Sequence, residues 1–137
     1  MGHLISVPPS FHSARPLPMN ILPIIDPRNV DDLRALNPGD NDEFLREIVG
    51  IFLDDTPRRI TELEHSLSAR DMAKFSRAAH SIKGSSSNLG ASRLRAAAEA
   101  IEHHAKAQGL EGIMTRVETL KHEFDQVATA LRALIAT

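Results

Sequence analysis

The chain has no cysteine, no tryptophan and no tyrosine, and its aromatic content is confined to five phenylalanines. Without cysteine it has neither a disulfide framework nor thiolate-ligated zinc, and it suits a reducing compartment. With so few aromatics and a formal net charge of -2, it offers no platform for stacked bases and no basic track for a phosphate backbone. Nucleic acid is therefore not an expected partner. No apolar run approaches the ~20 residues that cross a bilayer, and the first residues lack the basic start and apolar block of a secretory signal. The expectation is a soluble cytoplasmic protein without membrane contact. A Gly-rich phosphate loop, a Walker lysine motif and an acidic metal cluster are absent as well, so the chain lacks the parts that nucleotide chemistry needs.

What is present fits one small domain. A chain of 137 residues with 42% hydrophobic content can bury a single core. Residues 1–25 concentrate proline (Pro8, Pro9, Pro16, Pro18 and Pro23) among serines and small apolar residues, and read as a poorly ordered leader or linker. Met1 to Ser6 fits the N-myristoylation pattern, although so few fixed positions match often by chance. His3 and His12 in this leader are expected to be solvent-exposed. The folded domain is expected over residues 26–137.

Helical signals follow one another from Asp26. Asp26-Pro27 pairs an N-cap acceptor with the residue best suited to the first helical position, and Val30, Leu33 and Leu36 recur at helical spacing. Asn37-Pro38-Gly39-Asp40 is a turn, after which Asp40 or Asn41 can cap a longer helix with Phe44, Ile48, Ile51, Phe52, Ile60, Leu63 and Leu67 as its apolar stripe. Pro57 interrupts that pattern, and one bent helix over 41–69 is preferred to two abutting ones. Asp54 and Asp55 diverge by about 100° on a helix and read as a solvated acidic patch rather than an acid–base pair.

A third helix runs from about Asp71 to Asn88 and stops near Gly90. A fourth starts near Ser92, with Leu94, Ala97, Ala98, Ile101 and Ala105 inward, and Gly109 marks its end. Ile113, Val117, Leu120, Phe124, Val127, Leu131 and Leu134 alternate by four and three, the spacing of a bundle seam. No strand pattern alternates anywhere. The expected fold is all-α: an antiparallel up-and-down four-helix bundle with a short additional N-terminal helix.

The most informative stretch is His80 to Ala91, HSIKGSSSNLGA. An imidazole is largely uncharged near pH 7 and keeps a nitrogen lone pair for nucleophilic attack. Lys83 lies one turn on, where its ammonium offsets the charge of a phosphorylated ring, and Gly84 clears space beside it. On a wheel with Met72 at zero and ~100° per residue, Met72, Phe75, Ala79, Ile82 and Leu89 are assigned to one apolar sector near 300°. His80 falls near 80°, so its ring should face solvent. Ser76 and Ser87 flank it and keep the surrounding surface low enough for a partner to close over the ring.

This run resembles the signature of histidine-containing phosphotransfer (HPt) domains, His-x-x-Lys-Gly followed by small residues and Leu-Gly-Ala. The match rests on His80, Lys83, Gly84, Ser85, Ser86, Leu89, Gly90 and Ala91. The resemblance implies an antiparallel four-helix bundle with an exposed histidine midway along one helix. It implies a phosphorelay intermediate rather than an enzyme, in which His80 takes a phosphoryl group from the aspartate of a response-regulator receiver domain and passes it to another, or the reverse. Lys83 would steady the phosphoryl oxygens, Gly84 would admit the receiver's loop, and Ser76 and Ser87 would meet the partner. Receiver domains and a hybrid histidine kinase are the implied partners. Magnesium would come with the receiver, no cofactor or metal would be held by this chain, and a monomer is expected.

Other readings are a noncatalytic helical-bundle adaptor and a phosphoacceptor domain of a chemotaxis-type histidine kinase. A further one is a metal protein or enzyme using His65, His103 and His104 with Glu64 or Glu102, although no pair of these has favourable ligand spacing on one helix.

Overall fold

The computed structural model describes residues 21–136, in which five helices and no strand are found. The first twenty residues, including His3, His12 and the myristoylation-like start, lie outside the described residues. At the end of the expected leader, Ile24 and Ile25 already pack against the core.

Helix α1 spans Pro27–Ala35, with Pro27 at its first position and the Asp26 carboxylate accepting from Arg28 N at 3.0 Å. Val30 is buried and Leu33 partly so. Leu36, expected on the apolar face, is instead exposed, because the helix ends one residue earlier and the chain turns away.

Helix α2 spans Glu43–Ala69 and passes through Pro57 as one helix. Asp42 occupies its N-cap in a left-handed conformation without a side-chain cap bond, while the Asp40 carboxylate accepts from Phe44 N at 3.0 Å. Its inward stripe is Leu45, Val49, Phe52, Thr56, Ile60 and Leu63. Ile51 was expected there but is 59% exposed. It sits about 100° round the helix from Phe52, on the solvent side of the true stripe.

Helix α3 spans Met72–Leu89 and carries the His80 run; Asp71 caps it by accepting from Lys74 N at 3.1 Å. Phe75, Ala79, Ile82 and Leu89 are buried as the wheel requires. Met72 is exposed, because it opens the helix at the edge of the apolar sector. Helix α3 ends at Gly90, whose φ of +72° suits glycine. Ala91 N donates to Ser86 O at 2.8 Å and Gly90 N to Ser87 O at 3.1 Å, which is a Schellman motif.

Helices α4 (Ser92–Gln108) and α5 (Met114–Leu134) complete the bundle. Each helix from α2 onward packs on the next, α5 also meets α2, and α1 lies across α2 and α3. Two-residue connections between α2 and α3, and between α3 and α4, force antiparallel neighbours. Polar ties reinforce the core: Arg93 meets the buried Glu123 through two contacts of 3.1 and 3.2 Å, and Lys121 meets Glu64 at 2.9 Å.

Candidate functional site

Helix α3 buries Ala78, Ala79 and Ile82, and that packing fixes the direction of the residue between them and the next turn. The His80 side chain is 70% exposed, as its wheel position requires. Its ring is nonetheless not free to spin. Nδ1 lies 3.1 Å from Oε2 of Glu102 on α4, whose side chain is only 14% exposed. Glu102 Oε1 is in turn 3.0 Å from Nζ of the half-buried Lys83. One carboxylate thus links the ring to the ammonium.

Opposing effects act on that carboxyl. Burial pushes its pKa up, but the contacts and charges of Lys83 and His80 outweigh burial and hold it below the ordinary value of 4.5. Ionised Glu102 is an acceptor only, so the ring nitrogen facing it must carry the proton when the imidazole is neutral. The lone pair then resides on Nε2, which has no partner among the described residues. The arrangement selects a tautomer and presents its nucleophilic nitrogen to solvent.

Gly84 lies one turn beyond His80 and is exposed; a methyl group built there would meet nothing within 4 Å. Its α-helical setting requires no positive φ, so nothing among the described residues calls for glycine. Ser76 is half-buried and Ser87 exposed, one before and one after the ring on the same side of α3. Ser87 has an internal duty as well, its carbonyl accepting from Asn29 Nδ2 of α1 at 3.5 Å. Within the rest of the run, Ser85 and Ser86 turn their hydroxyls back onto carbonyls of their own helix.

Glu102 is the site residue that the sequence reading did not place beside His80. The signal was available: Glu102 and His80 are equidistant in sequence from Ala91, so an antiparallel hairpin turning there sets them level with each other. The histidines of the metal reading scatter instead. His103 faces Glu99 at 3.8 Å, His104 contacts Glu111 O at 2.6 Å and Arg116 at 3.2 Å, and Glu64 is taken by Lys121. Among the described residues no group of three or more histidines and carboxylates is placed to hold a metal. Likewise no described helix is long and apolar enough to cross a membrane.

The Hpt domain family model matches residues 47–130, which contain α3, α4, most of α2 and most of α5. The chain belongs to the Hpt domain family. Its relatives include Multistep phosphorelay regulator 1 of Schizosaccharomyces pombe, 31% identical over 91 residues, covering 66% of this chain and 31% of that protein. Histidine-containing phosphotransfer protein 5 of Arabidopsis thaliana is 28% identical over 106 residues, covering 75% of this chain and 68% of that one. This Hpt domain therefore spans about a third of the first relative and about two thirds of the second. Among solved structures, histidine-containing phosphotransfer protein B of Pseudomonas aeruginosa aligns with a TM-score of 0.73 at 28% identity, over 81% of this chain and 93% of that one. ZmHP2 from maize aligns equally well at 21% identity, covering 82% and 83%, a likeness of fold.

Proposed function

We propose that this Hpt domain is a phosphorelay intermediate whose phosphoryl carrier is Nε2 of His80. The observation that carries the reading is the 3.1 Å contact of Nδ1 with Glu102, because it leaves the other nitrogen unprotonated on an exposed face. The donor is the phosphoaspartate of a receiver domain. The Nε2 lone pair attacks phosphorus, the P–O bond to the aspartyl carboxylate breaks, and that carboxylate leaves with the bonding electrons. The ring keeps its Nδ1 proton and becomes cationic, facing the Glu102 carboxylate. Transfer to a second receiver is the same step reversed.

Lys83 supplies the nearest positive charge to the phosphoryl oxygens, since its ammonium already lies beside the ring's own partner. Gly84 leaves room for the receiver's loop, and Ser76 and Ser87 keep the approach low. A mainly apolar hollow of about 170 Å³ between α2 and α3, lined by Ile48, Ile51, Phe52 and Leu89 with Asp55, Thr56, Ser85 and Asn88, supplies a docking anchor that begins one residue after Gly84. The exposure of Ile51 is thereby explained.

Magnesium and the remaining catalytic groups belong to the receiver, so the chain is a carrier without kinase activity. It works as a monomer in the cytoplasm, fed by a hybrid histidine kinase. The test is label transfer from a phosphorylated receiver: His80→Gln should keep the helical fold and take up no phosphate. Undiminished labelling of that variant would overturn the relay reading.

A further inference from the structure

The face shared by α2 and α3 has a second hollow, of about 430 Å³, at the opposite end from the apolar one. Arg59, Glu62 and His65 line it from α2, and Lys74, Arg77 and Ser81 from α3. Arg59 is already satisfied, by Asp55 at 3.3 Å and Glu62 at 3.1 Å. The exposed Lys74 ammonium and Arg77 guanidinium meet no carboxylate among the described residues. The first twenty residues contain no Asp or Glu. Two cations with no carboxylate partner among the described residues therefore stand one turn apart on a chain whose formal charge is -2.

Their position relative to the ring matters. Arg77 lies one helical turn before His80 and Ser81 directly after it, whereas the apolar hollow begins at Ser85. His80 is thus bracketed along α3 by a basic half-surface and an apolar half-surface. On its α4 side, by contrast, Lys83 is tied to Glu102. Of the cations lining this hollow, Lys74 and Arg77 are the ones that meet no carboxylate among the described residues.

The geometry points to Lys74 and Arg77 as an electrostatic docking arm that selects receiver domains carrying acidic side chains beside their phosphorylated aspartate. The inference deepens the relay reading and rests on it for the identity of the partner. The apolar hollow gives adhesion common to many receivers, while the basic half sets which of them arrives fast and in register. Exposed opposite charges act mainly on association, raising its rate by about ten- to a thousandfold at low salt.

The test measures association of purified receiver domains of the source organism in stopped flow, with the His80→Gln chain so that binding is read without phosphoryl transfer. At least one receiver should bind with a rate constant that falls about tenfold from roughly 20 to roughly 300 mM salt. The Lys74→Glu/Arg77→Glu variant should bind that receiver about tenfold more slowly at low salt and lose most of the salt dependence. Ile51→Ser should speed dissociation with the salt dependence intact. A double variant with unaltered rate and salt dependence overturns the proposal, as does a receiver set without a salt-sensitive binder. Failure of the relay reading is distinguishable: salt-sensitive binding lost in the double variant, in a chain whose unmodified form takes no label, supports the docking arm and refutes the relay.

Discussion

Glu102→Gln isolates what the carboxylate does for the ring. In the receiver complex the phosphoryl group is present before and during transfer, so its repulsion by Glu102 is largely common to both states. What changes is the charge of the imidazole, which becomes positive as the N–P bond forms, and only interactions that strengthen along that change lower the barrier. Charge-assisted hydrogen bonds contribute ~1.5–3 kcal/mol and neutral ones ~0.5–1.5. The difference is about 1 kcal/mol for a ring as exposed as this one, or roughly fivefold in rate. Glu102→Ala removes the acceptor altogether and releases the tautomer, which raises the loss to about 2 kcal/mol, roughly thirtyfold. The assay is single-turnover rapid quench with saturating phosphorylated receiver, so that docking does not limit the rate. Nitrogen-15 NMR of the imidazole reads the tautomer alongside. Wild-type turnover in Glu102→Ala, or an NMR spectrum showing the same Nδ1-protonated tautomer without the carboxylate, would refute the positioning role.

Three further outcomes are expected. Gly84→Ala should stabilise the chain by about 1 kcal/mol in urea denaturation, since the helix gains propensity and the methyl meets nothing internal, while receiver binding weakens; a variant unaltered in binding refutes the access role. Gly90→Ala should destabilise by about 3 kcal/mol, from the φ of +72° and a Cβ only 2.6 Å from Asn29 Cβ, and Asn29→Gly should recover the contact part but not the backbone part in a double-mutant cycle. The Glu102 carboxyl titrates below its ordinary value of 4.5, so its contribution to stability is complete above that value and is lost as pH falls through the lower folded value. Denaturation midpoints of wild type should therefore drop relative to Glu102→Gln on acidification below the carboxylate range, and parallel curves contradict the linkage.

The helices were legible because their boundaries are written in local chemistry. Asp26-Pro27, Asp71 and Gly90 act where they stand, and the periodic apolar residues of α4 and α5 each find the core. Misplacements occurred where a residue sits at an edge of its stripe. Leu36, Ile51 and Met72 are apolar but lie just past a helix end or just round the helix from the buried line, and periodicity over a few residues does not separate edge from centre. The buried Arg93–Glu123 pair was not read either, because a carboxylate one residue before Phe124 on the bundle seam looks polar until the facing helix supplies its arginine. Glu102 was missed for the same reason. A link between elements has no local pattern, and only the register of the hairpin reveals it.

The run from His80 to Ala91 divides by what each residue answers to. Leu89, Gly90 and Ala91 answer to the chain itself: Leu89 and Ala91 are buried, and Gly90 takes a left-handed turn with Asp26 N donating to its carbonyl at 2.8 Å. These residues would be required in any bundle with this hairpin. Gly84 and the Nε2 nitrogen of His80 have no partner among the described residues, although Nδ1 of the same ring is held by Glu102. The ring shows its free nitrogen to solvent, and Gly84 accepts a helix-propensity cost of about 1 kcal/mol with open space where a side chain would go. A glycine that weakens its own helix and relieves no contact among the described residues is what the proposed approach of a partner surface accounts for. Lys74 and Arg77, which meet no carboxylate among the described residues, lie on the same face, and on the proposed relay reading a receiver covering α2 and α3 completes the site.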